Sequence, residues 1–429
     1  MQIHVIQQGD SLWRIAQIYN SSVQDIVQAN QLSNPNQLVI GQSLVIPIWG
    51  SFYWVQPGDT LWAIGQRYEI NYLTIAQMNR IDPNMPLGIG LRLFIPPGPK
   101  KRVETNAYLE PRGTSVSQSL LNDAEISGQY LTYLAPFSYE VRRDGTLKSL
   151  PINGLPEIAS ETGASLMMVV TNLENGQFSG ELGRDILQSS AVQDALLNNI
   201  IAEARRVGRY TDVHFDFEFL PGDQREAYNS FLRRAAARLR SEGLLISSAL
   251  APKTKTNQPG QWYEAHDYQA HGEIVDFVVL MTYEWGYSGG PAMPVSPIGP
   301  VEQVLRYALT QMPANKIMMG QNLYGYDWTL PYVEGGAYAR AVSPQRAIEL
   351  ANQYNVPIQY DMEAQAPHID YIDEQGKSHK VWFEDARSIQ AKFNLVKQLG
   401  LRGISYWKLG LAFPQNWLLI GENFEVVKR

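Results

Sequence analysis

The stretch Asp212-Val213-His214-Phe215-Asp216-Phe217-Glu218-Phe219 decides how most of the chain is read. Successive side chains of a strand alternate, so His214, Asp216 and Glu218 share one face while Val213, Phe215, Phe217 and Phe219 share the other. The apolar face suits a covering layer of helices. The opposite face then carries a histidine and two carboxylates into an interior, where unpaired charge is costly unless pairing or function compensates. A solvated face of an antiparallel strand is the bland alternative. In a parallel barrel it is disfavoured, because polar groups at the C-terminal ends of barrel strands belong to active sites. Two carboxyls on one face also raise the pKa of one of them, which suits a general acid at neutral pH.

Outward from this segment, short apolar runs alternate with helical patterns. The runs cover 107–110, 130–135, 165–171, 213–220, 244–251, 277–283, 316–324 and 403–408, and the clearest helical patterns are 192–207 and 225–240. Continuous apolar strands alternating with helices signify a parallel sheet, and eight such units point to a closed (β/α)8 barrel of the α/β class. The barrel is expected over 105–429. The interval between the seventh and eighth runs is longer than one helix needs, so residues of about 325–383 are expected to form a small α+β insertion near the active face.

Ahead of the barrel the chain repeats itself without a gap. Gly9-Asp10-Ser11-Leu12-Trp13 recurs 49 positions later as Gly58-Asp59-Thr60-Leu61-Trp62, and the same offset relates Tyr19 to Tyr68, Asn30 to Asn79, Gly41 to Gly90 and Pro47 to Pro96. Each unit reads as a strand (4–7, 53–56), a helix entered through Asp10/Ser11 or Asp59/Thr60, a second helix ending near Asn30 or Asn79, and a strand stopped by proline. Two βααβ modules, 1–48 and 51–97, are expected. Trp13, Trp62, Tyr19 and Tyr68 are assigned to the helix face packed on the sheet. Residues 98–104, Pro-rich and then basic, are read as a linker.

Composition narrows the partners. The net charge of −7 and the absence of a basic patch among aromatics argue against nucleic acid. Zero Cys excludes disulfides and thiolate chemistry, and the His residues show no metal-binding spacing, so no metal and no cofactor is expected. Neither a secretory signal pattern nor an apolar run long enough to span a membrane is visible. A monomer is expected.

The repeat resembles the LysM domain, which implies binding of N-acetylglucosamine-containing glycans such as peptidoglycan and chitin. The resemblance assigns the groove to the loop after the first strand and the loop before the second, hence to Gly9, Asp10, Ser11, Leu12 and Asn30, and to Gly58, Asp59, Thr60, Leu61 and Asn79. The 212–219 segment resembles the DxxDxDxE signature of glycoside hydrolase family 18. It implies Glu218 as proton donor and Asp216 as the carboxyl that orients the substrate acetamido group. His214 stands where the family often has a further Asp, and the first Asp of the signature falls on Thr211, with Asp212 one place off. His214 is expected to hydrogen-bond Asp216 and tune it. Met281-Thr282-Tyr283-Glu284 resembles the sixth-strand segment of that family, so Tyr283 inherits the acetamido carbonyl and Glu284 is assigned to sugar hydroxyls. Trp407 matches the eighth-strand Trp that floors the subsite, and Tyr324 is assigned to its wall. The resemblance implies hydrolysis with retention, in which the substrate's own acetamido oxygen is the nucleophile. The combined architecture resembles the cortical-fragment-lytic N-acetylglucosaminidases of endospore-forming bacteria, implying peptidoglycan as partner and the spore as location. A chitinase, an endo-N-acetylglucosaminidase on other glycans, and a non-catalytic glycan-binding coat protein remain open as alternatives.

Overall fold

The computed structural model describes residues 1–429. Eight parallel strands close on themselves: β1 (Lys101–Leu109), β2 (Tyr133–Pro136), β3 (Ser165–Thr171), β4 (Tyr210–Asp216), β5 (Leu245–Leu250), β6 (Phe277–Leu280), β7 (Ile317–Asn322) and β8 (Gly403–Trp407). Each pairs with the next, and β8 returns to β1. Val213, Phe215 and Phe217 are fully buried under the helix Arg225–Ser241, where the Phe217 and Phe231 rings lie nearly parallel at 6.1 Å. This is the (β/α)8 barrel that the alternating runs indicate.

Several boundaries differ. β1 starts at Lys101, inside the stretch expected as linker, because the C-terminal strand Phe424–Val426 adds in parallel to its first residues. β4 stops at Asp216, not at 220, because the chain turns sharply there; Phe219 has φ 54°. Between Tyr210 and Asp212 the register with β3 shifts, so Tyr210 faces the outer helix layer while Asp212 shares the inner face with His214. Gly325–Leu330, Arg340–Val342, Gln359–Asp361, Ala366–Ile372 and Ser378–Trp382 form a five-stranded antiparallel sheet carrying the helix Pro344–Gln353. This insertion has its own small core.

Each N-terminal repeat is a two-stranded antiparallel sheet covered by two helices: Gln2–Val5 with Ser43–Ile46 around Leu12–Tyr19 and Val23–Asn30, then Ser51–Trp54 with Arg92–Ile95 around Leu61–Tyr68 and Tyr72–Asn79. The first strands lie two residues earlier than expected, since Asp10 and Asp59 accept from the Gln7 and Gln56 amides and fold those residues into the turn. Trp13 and Trp62 are not core residues: they are 69% and 61% exposed. Leu12, Ile15, Ala16 and Tyr19, at spacings of three and four, already fill the inward face, and Trp13 projects about 100° away from Leu12. Tyr19 is buried and Tyr68 partly so.

The first repeat is sutured to the barrel. Val45 belongs to the barrel's main core, and Gln415 donates to Asn30 Oδ1 at 2.7 Å and to the Ser43 carbonyl at 2.9 Å. A matched pair of substitutions tests this seam. Gly41 and Gly90 both have positive φ, 83° and 80°, but a Cβ on Gly41 would sit 1.9 Å from the Ile358 carbonyl oxygen of the insertion, whereas one on Gly90 meets nothing within 4 Å. Gly90→Ala should cost about 1–2 kcal/mol, the usual penalty of an L-residue in the left-handed region. Gly41→Ala should cost about 1–3 kcal/mol more through overpacking. Thermal unfolding should therefore show the lower midpoint for Gly41→Ala. Equal midpoints would show that the insertion does not press on this turn.

Candidate active site

β4 delivers its inner-face side chains to the C-terminal mouth of the barrel, where Asp216 and Glu218 are 5% and 7% exposed. Glu218 lies beyond the strand and is fixed through its backbone: its N–H donates to Asn172 Oδ1 and its carbonyl accepts from Asn172 Nδ2, both at 2.9 Å. His266 holds the preceding residue. Its Nδ1 accepts from the Ala251 amide and its Nε2 faces the Phe217 carbonyl, both at 2.9 Å, which defines a neutral ring with the proton on Nε2. The Glu218 side chain accepts from the Trp262 indole N–H, and the Trp262 and Phe219 rings stack 6.2 Å apart.

Burial pushes both carboxyls above the usual range, and the charge of Asp216 raises Glu218 further, against the lowering effect of the Trp262 bond. With Asp216 charged, Glu218 is the group that keeps its proton. One oxygen of Asp216 is buried without a hydrogen-bond partner within the protein, so its carboxyl is not fixed by the fold. Tyr283 is buried beside them; desolvation and the neighbouring negative groups hold its hydroxyl protonated, as a donor. An acid that retains its proton, a second carboxyl and a phenolic donor thus lie together at one mouth.

A family model, Glycosyl hydrolases family 18, matches residues 150–412, and the LysM domain model matches residues 4–47 and 53–96. The cortical fragment-lytic enzymes of Bacillus subtilis (strain 168) and Bacillus anthracis are 64% and 54% identical; the alignments cover 100% of this chain in both cases, and 99% and 100% of those proteins. The crystal structure of the Bacillus megaterium QM B1551 spore cortex-lytic enzyme SleL superposes with a TM-score of 0.91 at 54% identity, covering 100% of this chain and 99% of that one. The chain belongs to glycosyl hydrolase family 18.

Glu284, Tyr324 and Trp407 lie around the same mouth. Glu284 is partly desolvated, which raises its pKa, and accepts from the Tyr324 and Tyr326 hydroxyls, the latter at 3.1 Å. Tyr324 follows β7 and Tyr326 lies in the first strand of the insertion, so the insertion reaches Glu284 at the mouth. Trp407 ends β8 with its ring 4.8 Å from Phe137 and 5.4 Å from Tyr108, both edge-on. Its half-buried ring packs against both the barrel-interior cluster and the cluster at the mouth.

His214 does not bond Asp216. Its Nε2 faces the Tyr108 hydroxyl at 2.9 Å and its Nδ1 faces Ser247 Oγ at 2.7 Å, while Ser247 donates to Asp212 at 2.6 Å. A polar chain Tyr108–His214–Ser247–Asp212 therefore runs beneath the mouth. Adjacent residues of one face on a strand are stacked along it, and cross-strand partners lie nearer in hydrogen-bonding direction than the residue two places on. Burial lowers His214 to about 3, so it is neutral, and raises Asp212 to about 7.

In the repeats, the residues assigned to glycan contact also hold the local fold. Asn30 and Asn79 donate to the Ile26 and Ile75 carbonyls and bridge to the strand backbones at Val45 and Phe94. Ser11 and Thr60 cap helices, Asp10 and Asp59 close turns, and Leu12 and Leu61 are buried. Gly9 and Gly58 supply left-handed turn positions. Ser11 and Thr60 are exposed, Asp10 and Asp59 half-buried.

Sequence reasoning missed Asn172, Trp262, Tyr108, Ser247 and Tyr326. Asn172 had a signal: a polar residue directly after an apolar barrel strand. Trp262 had none, since it lies in an irregular loop well beyond β5.

Proposed function

We propose that the chain hydrolyses the β-1,4 linkage after N-acetylglucosamine in spore-cortex peptidoglycan, in the spore, held to its substrate by the N-terminal repeats. The observation that carries the chemistry is the placement of two buried carboxyls, Asp216 and Glu218, at the C-terminal mouth of the barrel beside Tyr283, where the Asp216 charge helps Glu218 keep its proton. The Asp216 carboxyl accepts from the acetamido N–H and turns the acetamido oxygen toward the anomeric carbon. Tyr283 donates to that acetamido group and holds it in place. Glu218 protonates the departing glycosidic oxygen as the acetamido oxygen closes on the anomeric carbon, giving an oxazolinium ion. The Glu218 carboxylate then takes a proton from water attacking the same carbon. Two inversions give net retention, without a protein nucleophile. Choice of cortex glycan follows from the resemblance in both modules to enzymes named for that activity.

Digestion of defined spore-cortex muropeptides and of chitin oligomers, with products identified by mass spectrometry and early anomers by NMR, tests this. Cortex fragments should be cut after N-acetylglucosamine, with the β-anomer formed first, and chitin oligomers should be poor substrates. Preference for chitin would overturn the cortex assignment; an inverted first product would overturn the mechanism.

A further inference from the structure

The repeat is gapless in sequence, yet its two copies stand in different surroundings. In the first copy, the loop between the second helix and the last strand is built into the insertion. The Gln31 carbonyl accepts from Gln345 at 3.0 Å, the Ile40 carbonyl from the Ile358 amide at 2.9 Å and the Gly41 carbonyl from Arg387 at 3.0 Å, and Asn352 donates to Gln37 at 3.1 Å. Val39 is 6% exposed and completes the insertion's core beside Ala347, Leu350 and Ile358. At the matching place the second copy has Gly88.

In the second copy the same loop makes no hydrogen bond outside its own repeat. The carbonyls of Arg80, Ile89 and Gly90, counterparts of those of Gln31, Ile40 and Gly41, accept no hydrogen bond from the protein. Ile89 is 72% and Met85 64% exposed. Unpaired carbonyls beside exposed aliphatic side chains suit an N-acetylated sugar, whose amide N–H and hydroxyls need acceptors and whose methyl group and pyranose face need apolar cover.

We infer that the two repeats divide their labour: the second captures N-acetylglucosamine-containing glycan through the 80–91 loop, and the first is a clasp that fixes the pair of modules to the barrel. This rests on the reading of the repeats as glycan binders. It explains why Val39 replaces a glycine in one copy only, a difference that a pair of equal binding modules does not need.

The test uses matched substitutions in the full chain, each adding the same charge to equivalent positions: Ile40→Asp against Ile89→Asp, and Asn36→Asp against Met85→Asp. Cosedimentation with spore sacculi should weaken about tenfold for Ile89→Asp and Met85→Asp, as loss of one well-buried aliphatic contact predicts, and less than twofold for the first-copy variants. Melting temperatures confirm folding, and the two pairs give independent readings should one variant misfold. Equal losses in both copies, a greater loss in the first, or no loss in either would overturn the division. Failure of the unsubstituted chain to sediment would instead overturn glycan binding by the repeats, and the division with it.

Discussion

Glu218→Gln is expected to reduce turnover on cortex fragments by at least about 10²–10⁴-fold while leaving substrate binding nearly unchanged. The amide keeps the shape of the carboxyl and can still meet the Trp262 N–H through its oxygen, so the buried turn that Asn172 and His266 fix should persist. What it lacks is a proton to give. Both halves of the reaction suffer, because the same group must protonate the leaving oxygen and then deprotonate water. Activated substrates with good leaving groups should recover the first half-reaction alone, giving a burst followed by slow hydrolysis. Steady-state assays on cortex muropeptides, with binding measured separately on an uncleaved oligosaccharide, provide the comparison. Near-normal turnover would place the general acid elsewhere.

The barrel was legible because its strands are buried on both sides and so read as uninterrupted apolar runs separated by amphipathic helices. Strand ends were less so. β6 closes at Leu280 and β4 at Asp216, where ladder pairing ceases, although the apolar character of Met281, Tyr283 and Phe217 continues into the loops. Apolarity reports burial, and at a barrel mouth buried loops and strands look alike in sequence. The N-terminal boundary failed for a different reason: Lys101 and Arg102 are exposed and basic, as a linker would be, and only the distant Phe424–Val426 makes them part of a sheet.

Trp13 and Trp62 show the limit of residue-type reasoning. The helix-face reading places both tryptophans inward, but helix geometry leaves only one stripe for the core, and Leu12, Ile15, Ala16 and Tyr19, or Leu61, Ile64 and Gly65, occupy it. The same limit applies to His214. Its face was legible from alternation, whereas its partners come from β1 and β5, and strand-to-strand register is invisible in a single sequence. By contrast Asp216, Glu218 and Tyr283 were legible from their own short segments, because each segment carries its residue to the mouth independently.

Asp216→Asn should slow the reaction by about 10²-fold or more, since a donor–acceptor amide in place of the carboxylate loses the preorganised charge that orients the acetamido group and stabilises the developing oxazolinium cation. It should also move the pH profile, and the direction follows from the environment of Glu218. Burial raises that carboxyl, the negative charge of Asp216 raises it further, and the Trp262 N–H lowers it. Turnover requires the protonated form and is lost as pH rises through this pKa, so the group sets the alkaline limb. Replacing Asp216 by a neutral residue removes one raising influence and shifts the alkaline limb to lower pH. Trp262→Phe removes the lowering one and should shift it to higher pH. Residual activity of both variants, measured against pH on a soluble substrate, separates charge coupling from simple loss of substrate positioning. Loss of positioning lowers the whole curve without moving its limbs, and an unmoved alkaline limb in Asp216→Asn would mean that the two carboxyls titrate independently.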